Sequence, residues 1–88
     1  MTYLPDYNKK LEKKLFKLKK KDLEAMNIIQ NKIQEVLLDP HRYKPLSNKL
    51  SGIFRVHIKK SFVLTFEILE TDKIVNFLDY DHHDNIYE

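Results

Sequence analysis

Two sets of side chains in the second half of the sequence have the types and spacing that chemistry on a phosphate requires. In the first set, Arg55, His57 and Lys59 alternate with apolar residues, and Lys60 follows directly. Alternate residues of a β-strand share one face and lie roughly 6.5–7 Å apart, so these cations would line a common surface. Arginine can clamp a phosphate with paired donors, lysine supplies a point charge, and histidine can exchange a proton near neutral pH. The polar outer face of an ordinary half-exposed sheet would show the same alternation.

The second set is the segment His82-His83-Asp84, which is followed closely by Tyr87. Neighbouring strand residues point to opposite faces, so only one of the two histidines can face a given pocket. A carboxylate beside a histidine can fix its tautomer, which favours a general acid or base. Tyr87 can stack on a nucleobase or anchor the C-terminal segment in the core. A polar C-terminal segment without a function would have a similar composition.

The composition excludes several other kinds of site. The chain contains no cysteine, so it has no disulfide, no thiolate zinc site and no cysteine nucleophile. Gly52 is the only glycine, which leaves neither a glycine-rich phosphate loop nor a serine nucleophile elbow. The four histidines and the acidic residues form no recognisable set of metal ligands. We therefore expect no metal and no small-molecule cofactor.

Charge is distributed very unevenly along the sequence. Residues 1–60 contain 15 Lys and Arg against 6 Asp and Glu, a net charge of +9, whereas residues 61–88 contain 1 against 7, a net charge of −6. Such a division predicts a cationic surface that meets a polyanion or an acidic partner. Lys13 and Lys17 of the first predicted helix would add affinity for a nucleic-acid backbone that does not depend on base sequence. A lysine-rich helix that is merely solvated is the alternative.

The elements that must position these side chains are two helices followed by three strands. Asp22 is placed to cap the second helix, and Asp39-Pro40 ends it because a residue before proline avoids helical dihedral angles. Apolar residues recur at helical spacing at Leu11, Leu15, Leu18, Leu23, Met26, Ile29, Ile33 and Leu37. The two helices therefore form an antiparallel hairpin with one apolar face.

The remaining chain predicts an antiparallel sheet. Phe54, Val56 and Ile58 lie on one face of the first strand, a second strand covers 62–68, and a third covers 73–80. Residues 1–6 are a possible edge strand, and 81–88 are expected to form a short polar tail. These elements predict an α+β fold in which an N-terminal helical hairpin packs on a three- to four-stranded antiparallel sheet, in one domain spanning 1–88. No apolar run approaches the roughly 20 residues that span a bilayer, and no signal segment is evident, so we expect a cytoplasmic protein without a membrane partner.

With these residues in this order, the chain resembles the RelE/ParE toxin superfamily of toxin–antitoxin systems over nearly its whole length. The lysine-studded hairpin and the Asp39-Pro40 stop are followed by KLSGIFRV at 49–56, which is similar to the family's K-L-x-G…Y-R-(V/I) lead into its central strands. FVLTFEI at 62–68 is similar to the family's Y-R-L-x-Y-x-(V/I). HHDNIY at 82–87 is similar to its terminal H-(R/x)-D-x-(V/I)-Y.

What the resemblance implies is a metal-independent endoribonuclease that cleaves mRNA in the ribosomal A site, by attack of the substrate 2′-hydroxyl on the adjacent phosphate. By position in the family's motifs, the candidate catalytic residues are Arg55, His57, His83 and Tyr87. The candidate RNA-binding residues are Lys13, Lys17, Lys59, Lys60 and His82. The implied partners are a cognate antitoxin, the ribosome and mRNA.

The resemblance is interrupted at Val63, where the family has an arginine. An aliphatic side chain cannot stabilise a phosphate, so other cations must compensate or the activity is weak. Two alternatives stay open: a ParE-like toxin that binds DNA gyrase without cleaving RNA, and a basic module that only binds nucleic acid.

Overall fold

The computed structural model describes residues 2–46 and 52–86, in which two long helices cover one face of a four-stranded sheet. The elements in chain order are β1 (Leu4–Tyr7), α1 (Lys9–Lys21), α2 (Leu23–Leu38), a 3-10 helix (Pro40–Arg42), β2 (Phe54–Ile58), β3 (Phe62–Leu69), β4 (Ile74–His82) and α3 (His83–Ile86). The helical hairpin and the α+β class are thus confirmed. Within those described ranges, no helix combines the length and apolarity that crossing a bilayer demands.

The ends of the helices are set by local chemistry. The Asn8 side chain accepts a hydrogen bond from the Lys10 N–H at 2.9 Å and caps α1. The Asp22 carboxylate accepts from the Ala25 N–H at 3.1 Å and caps α2, as the sequence predicts. The second helix ends at Leu38, directly before Asp39-Pro40.

The strand order across the sheet is β1-β4-β3-β2. The three strands from the second half of the chain are antiparallel to their neighbours, as predicted. The expected edge strand is present as β1, but it runs parallel to β4, with Leu4 opposite Ile74 and Tyr7 opposite Phe77. The sheet is therefore mixed, and the antiparallel prediction holds for β2–β4 alone.

β4 contains a β-bulge and extends further than predicted. Thr65 lies opposite Asp79 while Phe66 lies opposite Phe77, so Leu78 is an extra residue in β4. Both Phe77 and Tyr80 consequently belong to the buried core. The strand continues through Asp81 and His82, so the prediction of a polar tail from residue 81 is wrong for its first two residues.

The core lies between the helices and one face of the sheet. It includes Leu11, Leu15, Ile29, Ile33, Val36 and Leu37 from the helices, and Val56, Ile58, Leu64, Phe66, Val75, Phe77 and Tyr80 from the strands. The alternation predicted for β2 is confirmed, because Val56 and Ile58 are buried in this layer. Arg55 and His57, which alternate with them, are on the opposite face of the sheet.

Candidate functional site

A pair of histidines occupies the face of the sheet that the helices leave open. His57 projects from β2, and His83 is the first residue of α3, where its N–H donates to the Ser61 carbonyl at 2.7 Å. The two imidazole rings are nearly parallel, at 21°, and their centroids are 6.1 Å apart. The structure therefore brings together two of the residues that the sequence singled out, although they are 26 positions apart in the chain.

The adjacent histidine is turned the other way. The ring of His82 lies 5.5 Å from the ring of Phe62 in an edge contact. Phe62 in turn stacks on Tyr80 at 5.1 Å, and Tyr80 belongs to the helix-covered core. His82 thus lies on the helix side of the sheet, and of the two neighbouring histidines only His83 accompanies His57.

Lys59 does not lie where the alternation predicts. The strand ends at Ile58, and Lys59 adopts a φ of 55° in the turn to β3. Its ammonium lies 3.8 Å from Asp22 and 3.6 Å from Glu24, at the start of α2. The placement of Lys59 on the face of Arg55 and His57 is therefore wrong, because the turn redirects its side chain toward the helices.

The other predicted RNA-binding lysines are dispersed. Lys60 is exposed in the same turn, and Lys13 is exposed on α1. Lys17 borders a pocket of about 310 Å³ that also contains Phe62 and Tyr80. Lys13 and Lys17 belong to α1, which packs on the face of the sheet opposite His57. Tyr87 lies outside the described residues.

Asp81 connects the histidine-bearing segment to the first helix. Its Oδ1 accepts from the Asn85 amide at 3.1 Å, and its Oδ2 pairs with the Lys14 ammonium at 3.1 Å. These contacts lower the pKa of Asp81 to about 2: the Asn85 bond contributes most, followed by the His82 N–H and Lys14, against desolvation by burial. Since Asn85 is in α3, Asp81 fixes the short helix that carries His83.

Along the same part of β4, side chains form hydrogen bonds with backbone N–H and C=O groups at the outer edge of the strand. β1 ends opposite Phe77, so among the described residues no strand covers this side of β4 beyond that point. The Tyr80 N–H donates to the Asp79 carboxylate at 2.8 Å, and the His82 N–H donates to Asp81 at 2.7 Å. The Lys14 ammonium donates to the Tyr80 carbonyl at 3.2 Å.

Val63 lies at the centre of the open face in the sheet register. It is opposite His57 on one side and Asp81 on the other. The side chain is fully buried, at 0% exposure, yet it alternates with the core residue Leu64 and so belongs to the other face. Val63 contributes apolar packing at the position where the resembled family motif has an arginine. No cluster of three or more potential metal ligands occurs in residues 2–46 and 52–86.

Sequence reasoning missed three cations near this face. Lys32, Arg42 and Lys44 share a pocket with Arg55 and His57. They come from α2 and from the segment after it, and no periodicity connects them to β2 in the sequence. The one available signal was the basic composition of the segment HRYK at 41–44.

Comparisons with known proteins place the chain and its fold in a family. A protein of Methanocaldococcus jannaschii named "Putative toxin RelE4" is 49% identical over 78 residues, which are 89% of this chain and 83% of the relative. The E. coli toxin RelE, in a mutant form in the free state, matches with a TM-score of 0.80 at 17% identity, over 99% of this chain and 92% of that chain. A chain of the Mycobacterium tuberculosis toxin–antitoxin complex RelBE2 matches with a TM-score of 0.73 at 24% identity, over 94% of this chain and 100% of that chain. No protein-family model matches the chain.

The two solved structures show that two helices on this mixed sheet form the RelE-type toxin fold. The relative at 49% identity extends the likeness from fold to family. The chain belongs to the RelE-like toxin superfamily, as its motifs predict.

Proposed function

We propose that this chain is an endoribonuclease that cleaves mRNA on the ribosome, with His57 and His83 as its acid–base pair. The observation that carries the proposal is the 6.1 Å separation of two nearly parallel imidazole rings. Groups that each hydrogen-bond one oxygen of a single phosphate must stand on the order of 6–8 Å apart, because each bond reaches about 2.6–3.2 Å. Because imidazole nitrogens form hydrogen bonds in the plane of the ring, the two nearly parallel rings can both reach one phosphate that lies along their edges.

In this mechanism the neutral imidazole of one histidine removes the proton from the substrate 2′-hydroxyl, and the oxygen attacks the adjacent phosphorus. The protonated imidazole of the other histidine gives its proton to the departing 5′ oxygen. The products carry a 2′,3′-cyclic phosphate and a 5′-hydroxyl. Arg55, on the same strand face as His57, stabilises the negative charge that develops on the phosphorane oxygens. Restriction of the cut to the ribosomal A site is inferred from the family resemblance.

We assign the resting state of the chain to a complex with an acidic antitoxin. The similar chain in the RelBE2 structure is part of a toxin–antitoxin complex. Residues 1–60 of the present chain carry 15 basic and 6 acidic side chains, so an acidic segment that folds on this surface would pair many charges. Equal stability of the chain with and without the product of its neighbouring gene would argue against such a partner.

A toxin that binds DNA gyrase without cleaving RNA is the second candidate, and Val63 favours it. Its buried aliphatic side chain leaves the centre of the open face without the family's arginine. Growth arrest that persists after Arg55, His57 and His83 are all neutralised would support this candidate. A module that only binds nucleic acid would instead lose affinity steeply with salt and give no cleavage product.

Primer extension on a defined mRNA in a translation extract tests the proposal. The wild-type chain should produce cuts confined to ribosome-occupied codons. His83→Gln should slow cutting by about 10²–10⁴-fold because it removes one proton-transfer group. His82→Gln is the matched control, since its ring lies on the other side of the sheet, and should change the rate less than about 3-fold. Equal losses in both variants, or uncut mRNA with the wild-type chain, would overturn the mechanism.

A further inference from the structure

A basic pocket of about 410 Å³ opens at the outer edge of β2, the terminal strand of the sheet. Four of its lining side chains carry positive charge: Lys32, Arg42, Lys44 and Arg55. No Asp or Glu of the described residues lines it, and the nearby Glu35 forms only an exposed pair with Lys32 at 3.5 Å. Lys32, Arg42 and Lys44 lie around the same pocket, and a bound anion would lower their mutual repulsion.

Backbone hydrogen bonds hold together the two chain segments that contribute Lys44 and Arg55 to the pocket. The Arg55 N–H donates to the Lys44 carbonyl at 3.2 Å, and the Leu46 N–H donates to the Ile53 carbonyl at 2.7 Å. An isolated bridge also pairs Pro45 with Phe54. Residues 44–46 therefore run antiparallel to the first residues of β2. This pairing holds Lys44 beside Arg55.

The guanidinium of Arg42 is also held in place. It lies over the ring of Tyr43, 5.2 Å from the centroid. Tyr43 in turn makes an edge contact with the core residue Phe66, with 5.8 Å between ring centroids. An arginine supported on a packed ring loses less side-chain freedom when it binds, and its planar donors match two phosphate oxygens.

His57 belongs both to this pocket and to the histidine pair. An anion in the pocket therefore lies next to a phosphate that is bound by His57 and His83. We propose that the pocket binds the phosphate adjacent to the one that is cut, so that the RNA strand crosses the edge of β2 between His57 and Lys44. This inference rests on the proposed ribonuclease function and adds a second phosphate subsite to it.

RNA fits the pocket better than an acidic peptide because the pocket is continuous with the catalytic pair. Positions two apart on β2, such as Arg55 and His57, are roughly 6.5–7 Å apart, so two anionic groups at that interval would be engaged together. A nucleic-acid strand carries such groups at a regular interval, whereas a peptide carries them only where its sequence has carboxylates.

The test is a binding measurement by fluorescence anisotropy with a short oligoribonucleotide, 2′-O-methylated at every position so that it cannot be cut. A set of such RNAs carries one uncharged methylphosphonate linkage, moved stepwise along the strand. The pocket variant is Lys32→Gln/Arg42→Gln/Lys44→Gln. The control is Lys9→Gln/Lys19→Gln/Lys20→Gln, which removes the same charge from α1, and thermal unfolding verifies that both variants are folded.

For the wild-type chain, two neighbouring methylphosphonate positions should weaken binding, one at the phosphate that is cut and one at the phosphate in the pocket. The pocket position should cost at least about tenfold, as expected when a phosphate held by several cations loses its charge. In the pocket variant the effect at that second position should shrink to less than about 3-fold while the effect at the first position stays, because both changes remove the same interaction. The slope of log affinity against log salt should fall by about 0.7 for the one phosphate lost. The control should retain the position-specific effect. Lys44→Gln alone should give a partial loss.

Several results would overturn the subsite. They are a pocket variant in which both methylphosphonate positions keep their full effect, no binding of the wild-type chain to any of the RNAs at about 50 mM salt, and a pocket variant that loses antitoxin affinity while it binds RNA normally. The last result would assign the pocket to the protein partner. A confirmed subsite in a chain that does not cut ribosome-bound mRNA would refute the catalytic proposal and leave the subsite in place.

Discussion

Replacing Tyr43 by phenylalanine should stabilise the chain, although the change removes a polar group from a well-packed ring. The Tyr43 hydroxyl is buried and has no hydrogen-bond partner among the described residues. A buried hydroxyl without a partner costs roughly 1–3 kcal/mol relative to water. The edge contact with Phe66 does not involve this hydroxyl and is kept in the variant. We expect the free energy of unfolding to rise by about 1 kcal/mol, which corresponds to roughly 4–8 °C in Tm for a chain of this size.

The assay is urea and thermal unfolding followed by circular dichroism, with Tyr3→Phe as the matched control. The Tyr3 hydroxyl donates to both oxygens of Glu70, at 2.9 and 2.8 Å. Tyr3→Phe removes these hydrogen bonds and should lower the free energy of unfolding, a sign opposite to that for Tyr43. A decrease in stability of Tyr43→Phe as large as that of the control would show that the hydroxyl has a partner, and would refute the reasoning.

Three further predictions test the site and its supports. Arg55→Gln should slow mRNA cleavage by about 10²–10³-fold. Lys59→Gln should change the rate less than about 3-fold, since Lys59 lies beside Asp22 and Glu24. A comparable loss in both variants would assign Lys59 to the site as well. Asp81→Asn should lower the free energy of unfolding, and the loss should be largest between pH 7 and about pH 5. The reason is that the folded pKa of Asp81, about 2, lies below the usual value, so the charged carboxylate stabilises the folded chain. The difference from wild type should disappear as the pH falls through about 2. A difference still present at the acid end of a pH series of urea titrations would contradict the role of the charged carboxylate. Asp22→Ala should lower the free energy of unfolding by about 1 kcal/mol because it removes the cap of α2. Asp6→Ala is the control and should change it little, since Asp6 is an exposed residue of β1. Equal effects of the two substitutions would show that the cap does not stabilise the chain.

The sequence predicts those parts of the fold that depend on local periodicity and local chemistry. Helical spacing and the capping side chain of Asp22 identify the hairpin, and alternation identifies the two faces of β2. Alternation cannot locate the end of a strand, which is why Lys59 is misplaced: the left-handed backbone of a turn redirects its side chain. The bulge at Leu78 is likewise invisible to a strict period of two, and the polar residues Asp81 and His82 continue β4 without the apolar alternation that would mark them as strand.

The candidate site was only partly predictable because its residues come from distant segments. The sequence names His57 and His83 separately, but their 6.1 Å approach depends on α3 and on its attachment to Asp81. The lining of the basic pocket depends on how the segment before β2 pairs with that strand, a contact that leaves no periodic signal. Only the position of the sheet edge therefore identifies Lys32 and Arg42 as candidate anion-binding residues.

The outer side of β4 affects how separate copies of the chain meet. An open strand edge is a template on which another polypeptide can add a strand, and long unprotected edges promote aggregation. Here the N–H groups of Tyr80 and His82 are already occupied by the carboxylates that precede them, and Lys14 occupies the Tyr80 carbonyl. Side chains of the same molecule thereby close the edge that β1 is too short to cover. A chain that is not bound to another protein can therefore avoid pairing with a second copy at this edge.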